Sequence, residues 1–207
     1  MLDLLTKSTI RKKIIILFIY NQDKDYYLSE IAKFINTSPG TAQRELNRLL
    51  KINLIIMRKR GGLNVYRLNK EYALLKEVES IVKKTIGIEV ELKSLLKGIE
   101  NIAFAFIFGS YAKGGLKSDS DIDLFIVGKP NEDHVYEAIK KVEDKIKREI
   151  NYHISRKEEF IENLKNRYFY KDIVDNRILI KGSRDEFRKL IEEPGRRRKT
   201  KKTKNRH

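Results

Sequence analysis

The passage from Phe108 to Val127, FGSYAKGGLKSDSDIDLFIV, constrains this chain more than any other. The apolar run Ile102 to Phe108 reads as a strand and ends directly on Gly109-Ser110. A ten-residue spacer follows, and Asp121-Ile122-Asp123 then opens a second strand, Asp121 to Val127. Strand side chains alternate faces, so Asp121 and Asp123 point one way while Ile122 and Leu124 point into the core. Alternate strand positions lie ~6–7 Å apart, a spacing that suits two carboxylates to a divalent metal. Hard oxygen donors favour Mg²⁺ (or Mn²⁺), which keeps waters and takes substrate phosphates as well. Gly109 lets the backbone approach a phosphate, and Ser110 adds a hydroxyl and an N–H at a helix start. Taken singly, a Gly-Ser turn and a strand-capping Asp-Ile-Asp are ordinary. In this order, between two apolar strands, they point to a site for a divalent metal and phosphate.

The rest of the C-terminal half supports an α/β domain. Asn131 to Arg148 reads as a helix, Glu149 to Ser155 as a third strand and Lys157 to Leu164 as a short helix. Ile178 to Ile180 adds an edge strand and Arg184 to Glu192 a last helix. The expected divisions are 1–70, a connecting helix over 71–100 broken near Gly87, a domain over 101–193, and a disordered basic tail over 194–207. The connecting helix, with Leu74, Leu75, Val78, Ile81 and Val82 at helical spacing, suits a packed linker and a homodimer seam equally.

Here the chain resembles the polymerase-beta-like nucleotidyltransferase superfamily, particularly its minimal members, whose signature is Gly-Ser, a spacer, then Asp-x-Asp between hydrophobic strands. The resemblance implies that Gly109 and Ser110 hold a nucleoside triphosphate and that Asp121 and Asp123 hold Mg²⁺. Lys113 and Lys117, in the spacer, would neutralise phosphate. Such enzymes place a third carboxylate on a later strand, and the position aligned with it here is Asn151. An amide cannot act as a general base and is a weaker ligand than a carboxylate. Glu149, one pleat earlier, shares the face of Asn151 and is the candidate substitute. His153, on the same face, reads as a simple hydrogen-bonding residue.

The N-terminal 70 residues carry a charge balance of +9 and residues 196–206 a balance of +8, while the residues between are almost neutral at −1. Two basic blocks around a neutral middle imply a polyanion partner, most simply double-stranded DNA. The element order supports this. Thr9 to Asn21 reads as a helix, Leu28 to Ala32 as a second one capped by Ser29, and a third begins with Ser38 as N-cap and Pro39 at the first turn. Leu54 to Arg60 and Leu63 to Asn69 then form a hairpin about Gly61-Gly62. On the third helix Ala42, Leu46, Leu49 and Leu50 make a buried stripe, leaving Thr41, Gln43, Arg44, Asn47 and Arg48 to read base edges. Arg58, Lys59, Arg60 and Arg67 on the hairpin suit phosphates. This segment resembles winged helix-turn-helix regulators of the ArsR and MarR kind, and the whole chain is similar to proteins that fuse such a domain to a minimal nucleotidyltransferase.

Two functions follow as expectations. One is a Mg²⁺-dependent transfer of NMP from an NTP to a hydroxyl, with a protein as one acceptor class. The other is a catalytically weak or inactive, nucleotide-sensing regulator or antitoxin-like protein. With no Cys there is no disulfide framework, thiolate zinc site or cysteine nucleophile. No run reaches the ~20 apolar residues of a membrane span, and Met1-Leu2-Asp3 opens no secretory signal, so a cytoplasmic location is expected.

Overall fold

In the computed structural model, which describes residues 6–114, 121–164, 173 and 176–191, helix α1 (Thr9–Tyr20) is buried continuously from Ile14 to Tyr20. A helix that is apolar all round can only sit inside. Around it forms the first of two units, which takes residues 6–91 together with 140–149. The second takes residues 92–114, 121–139, 150–164, 173 and 176–191. Lys117 and the tail over 194–207 lie outside the described residues.

In the first unit, Ser8 Oγ caps α1 by accepting the Arg11 N–H at 3.2 Å. Strand β1 (Tyr26–Tyr27) leads straight into α2 (Leu28–Phe34). Ser29 lies inside α2 and does not cap it; Tyr27 takes the cap position, and its N–H donates to Glu30 Oε2 at 2.8 Å. Glu30, three residues after the cap position, thus reaches back to the N–H of Tyr27, and the helix starts ahead of Ser29. Helix α3 (Pro39–Lys51) starts as its sequence predicts, with the Thr41 N–H donating to Ser38 Oγ at 3.2 Å. Strands β2 (Ile55–Arg60) and β3 (Leu63–Leu68) pair from Ile55–Leu68 to Arg60–Leu63. Gly61 and Gly62 turn the hairpin with φ of 57° and 81°, left-handed values that cost glycine nothing. The sheet order is β1-β3-β2. Helix α4 (Leu75–Thr85) buries Val78 and Val82, but Leu74 precedes it and is 55% exposed. The break falls at Gly87, where a Cβ would overlap the Tyr20 hydroxyl. That hydroxyl accepts the Ile88 N–H at 3.0 Å and so caps the start of α5 (Ile88–Lys97).

The second unit is built on a mixed sheet. Strand β4 (Ile102–Phe108), short helix α6 (Gly109–Ala112), strand β5 (Ile122–Gly128), helix α7 (Glu132–Ile146), whose residues from 140 on count with the first unit, and strand β6 (Ile150–Ser155) follow in order. Helix α8 (Lys157–Asn163), strand β7 (Ile178–Lys181) and helix α9 (residues 184–191) complete it. The strand order is β6-β5-β4-β7, with β5 and β6 parallel and the other pairs antiparallel. A parallel pair needs a long crossover, and α7 provides it. Helix α7 buries Val135, Ala138, Ile139, Val142 and Ile146, a single stripe at helical spacing. One core lies among Phe104, Phe106, Phe125, Phe160 and Phe187. Within it the Phe106 and Phe125 rings stack 5.5 Å apart. The Lys181 ammonium closes the far end of α5, donating to the carbonyls of Leu96 at 2.8 Å and Ile99 at 2.6 Å, and burial pulls its pKa below the ordinary lysine value. Among the described residues, no helix is long and apolar enough to cross a membrane.

Candidate functional site

Strand β5 carries the acidic pair. The strand begins at Ile122, so Asp121 stands one residue ahead of it and is exposed, while Asp123 is half-buried within it. The alternation that joins the two aspartates to one face continues through Phe125 into the aromatic core. That face is therefore acidic at its entrance and apolar behind.

Two neighbouring strands bring the remaining residues to this entrance. In the antiparallel pairing Phe108 lies opposite Asp123, so the chain leaves β4 at Asp123 and turns into α6. Gly109 makes this turn with φ of 71°, and a Cβ there would overlap Asp123 Oδ2. Glycine is required on both counts, by conformation and by space. Ser110 follows within α6, and Lys113 is exposed at its end. In the parallel pairing Asn151 lies opposite Asp123, and its Nδ2 donates to Asp121 Oδ2 at 2.9 Å. Gly109, Asp121, Asp123 and Asn151 thus converge. Glu149 is exposed just ahead of β6. His153 lies opposite Phe125 with the two rings 5.0 Å apart, a packing contact. Among the described residues, no group of three or more His, Cys, Asp or Glu gathers to hold a metal. The oxygen donors that face one another here are two carboxylates and an amide.

On the first unit, the residues expected to meet DNA sit in a web of contacts. Gln43 Nε2 donates to Asn47 Oδ1 at 2.8 Å, and Gln43 Oε1 accepts from the Tyr66 hydroxyl at 3.0 Å. Arg44 is exposed and donates to Thr41 Oγ1 at 3.2 Å. Arg48 Nη1 and Arg11 Nε grip the two oxygens of Glu45, at 3.0 Å and 2.7 Å. Arg58 and Arg67 both donate to Asp25 Oδ1, at 3.3 Å and 2.8 Å, while Lys59 and Arg60 stand exposed. Sequence reasoning missed Asp25, Glu45 and Tyr66. Glu45 alone left a signal, one acidic residue inside the apolar stripe of α3.

Comparison with known proteins adds a class to this geometry. Residues 90–186 match the family model described as "Polymerase beta, Nucleotidyltransferase". The match supports a polymerase-beta-like nucleotidyltransferase domain over that segment, in agreement with its mixed sheet and flanking helices. Among solved structures, the chain is similar to a toxin–antitoxin complex with AMP-PNP, at 16% identity and a TM-score of 0.38 over 51% of this chain and 82% of that one. It is also similar to a mutant of Lactococcus lactis ZitR, at 19% identity and a TM-score of 0.33 over 42% and 60%. A third likeness is to the tri-AMPylated Shewanella oneidensis HEPN toxin in complex with MNT antitoxin, at 14% identity and a TM-score of 0.34 over 51% and 78%. At these scores the likenesses carry no functional weight. No curated protein matches the chain.

Proposed function

We propose that this chain is a DNA-binding nucleotidyltransferase, in which residues 1–70 form a winged helix-turn-helix domain and residues 101–193 transfer NMP from an NTP to a hydroxyl acceptor. The observation that carries the reading is the convergence of Gly109, Asp121, Asp123 and Asn151 inside a segment that matches a nucleotidyltransferase family. Two carboxylates beside a glycine turn fit Mg²⁺, an ion that takes few protein ligands and leaves the rest to water and phosphate. Asp121 and Asp123 would hold it. When bound, Mg²⁺ or Mn²⁺ neutralises triphosphate charge and stabilises the attacking and leaving oxygens. Gly109 admits the phosphates close to the main chain, Ser110 donates to them, and Lys113 and Lys117 balance their charge. Asn151 holds Asp121 in place through its amide.

That same contact favours a second reading, nucleotide sensing with little or no turnover. Asn151 occupies the place where the superfamily has its third acid, and an amide there accepts no proton from an attacking hydroxyl. Incubation with each labelled triphosphate and Mg²⁺ or Mn²⁺, with and without lysate as acceptor source, separates the two. Transfer or pyrophosphate release is expected with at least one triphosphate. Metal-dependent binding without release would establish the sensing reading instead. In calorimetry, Asp121→Asn with Asp123→Asn should lose metal-dependent binding, and unchanged binding would show the acidic site to be misassigned.

A further inference from the structure

We propose that a cleft of about 490 Å³ in the first unit is a binding site for a small amphipathic organic anion, an apolar body bearing a carboxylate. The inference is independent of the nucleotidyltransferase reading, because every residue that lines the cleft lies between Arg11 and Val78. Its floor is apolar, made by Ile15, Leu49, Leu54 and Val78, all buried. Ile52, 53% exposed, and the ring of Tyr72 form walls. The size falls within the ~300–1,000 Å³ of ordinary ligand sites, which pair such a floor with a few polar groups at fixed places.

Here the polar groups are cations. Arg11, Arg48 and Lys51 all line the cleft. One carboxylate, Glu45, is shared between the two arginines, through Arg11 Nε and Arg48 Nη1. Three positive charges against one negative leave an excess of two at the rim. Each guanidinium also keeps N–H donors beyond the one given to Glu45, since an arginine carries five. Lys51, at the last turn of α3, is exposed. A carboxylate can therefore be taken at the rim while its apolar body covers the floor. Inorganic phosphate would satisfy the charge and leave the floor uncovered. A neutral hydrocarbon would do the reverse. Only a ligand with both parts matches both features.

The test titrates the full-length protein with 2-naphthoate, its neutral counterpart 2-naphthamide, and inorganic phosphate, by calorimetry and methyl NMR. Saturable binding of 2-naphthoate is expected, with shifts concentrated at the methyls of Ile15, Leu49, Ile52, Leu54 and Val78. The amide should bind about tenfold more weakly, since it loses charge-assisted hydrogen bonds. Lys51→Gln, an exposed substitution that spares the fold, should weaken 2-naphthoate by about threefold to tenfold and leave the amide unchanged. Ile52→Asp should abolish binding with an unaltered melting temperature. The proposal is overturned if 2-naphthoate does not saturate in the millimolar range, or if acid and amide bind alike. It is also overturned if phosphate moves the same methyls as strongly, or if the shifts fall elsewhere.

Discussion

Gly109 holds a backbone conformation and a volume that no other residue can occupy without moving Asp123. Gly109→Ala should therefore lower stability by about 1–3 kcal/mol, the usual cost of a strained φ, and displace the carboxylate proposed to hold the metal. Thermal melting measures the first effect and metal-dependent triphosphate binding the second; loss of binding should exceed what the melt explains. Asn151 invites the opposite kind of change. Asn151→Asp would set a carboxylate where an amide now donates to Asp121 at 2.9 Å. Without metal the two like charges repel, so the variant should be less stable than the parent at neutral pH and recover on adding Mg²⁺ or on acidification. With metal it should transfer faster, because a carboxylate can take the proton of the attacking hydroxyl. An unchanged rate, followed by pyrophosphate release, would point to Glu149 as the working base.

At the scale of elements, a carboxylate at the start of β1 adds to the strand pairing that joins β1 to the hairpin of β2 and β3. Asp25 binds Arg58 and Arg67 at once, so its negative charge offsets part of their attraction for a phosphate. Asp25→Asn should raise affinity for duplex DNA at low salt by about threefold to tenfold, irrespective of sequence, since phosphate contacts carry no sequence information. Arg44→Ala on α3 should instead flatten the difference between specific and scrambled duplexes, and fluorescence anisotropy reads both variants. Strand β1 supplies a pH-dependent contribution of its own. Burial, and then the charge of Glu30, push the Tyr26 phenol well above its ordinary value of 10.0. The folded chain then keeps a proton that the unfolded chain releases, so this stabilisation is complete below pH 10 and is lost as the pH rises beyond it. Tyr26→Phe should flatten the alkaline limb of a urea stability profile and change little near neutrality. These elements also mark what the sequence could disclose. Ser38-Pro39 and Gly61-Gly62 are local signals with one structural solution, and the structure adopts it at both. Strand alternation, also a local rule, puts Asp121 and Asp123 on one face, whereas Asn151 is singled out only through the resemblance to the nucleotidyltransferase pattern. Asp25 with Arg67 and Glu45 with Arg11 are joined across 42 and 34 residues. No periodicity encodes such pairs; they appear only when the fold brings the partners together. Ser29 misled because the helix starts ahead of it: Tyr27 takes the cap position, and Glu30 accepts the N–H of Tyr27.

For the whole molecule, charge is concentrated at the two ends of the chain, +9 over residues 1–70 and +8 over 196–206. If both ends meet DNA, each phosphate they neutralise adds about 0.9 to the slope of log affinity against log salt. Deleting residues 196–207 should thus lower that slope by several units and weaken scrambled and specific duplexes alike, in shift assays at two or more salt concentrations. Sequence preference should persist, because Arg44 and its neighbours remain. The way the two units share the chain has a further consequence, for synthesis. Residues 140–149 belong to the first unit. In it Asn21, fully buried, donates through one amide nitrogen to the carbonyls of Leu17 and Ile146, and Arg148 donates to the carbonyl of Tyr20. Translation runs at about 5–20 residues per second, so these partners arrive roughly 3–12 s after residue 91 has been added. Throughout that interval the nascent first unit carries a polar residue in an unfinished core, and strands β4 and β5 of the second unit are made before it closes. A ribosome paused between residues 91 and 149 therefore holds the first unit in its least complete state, and a fragment cut there is a different object from the unit in the finished protein.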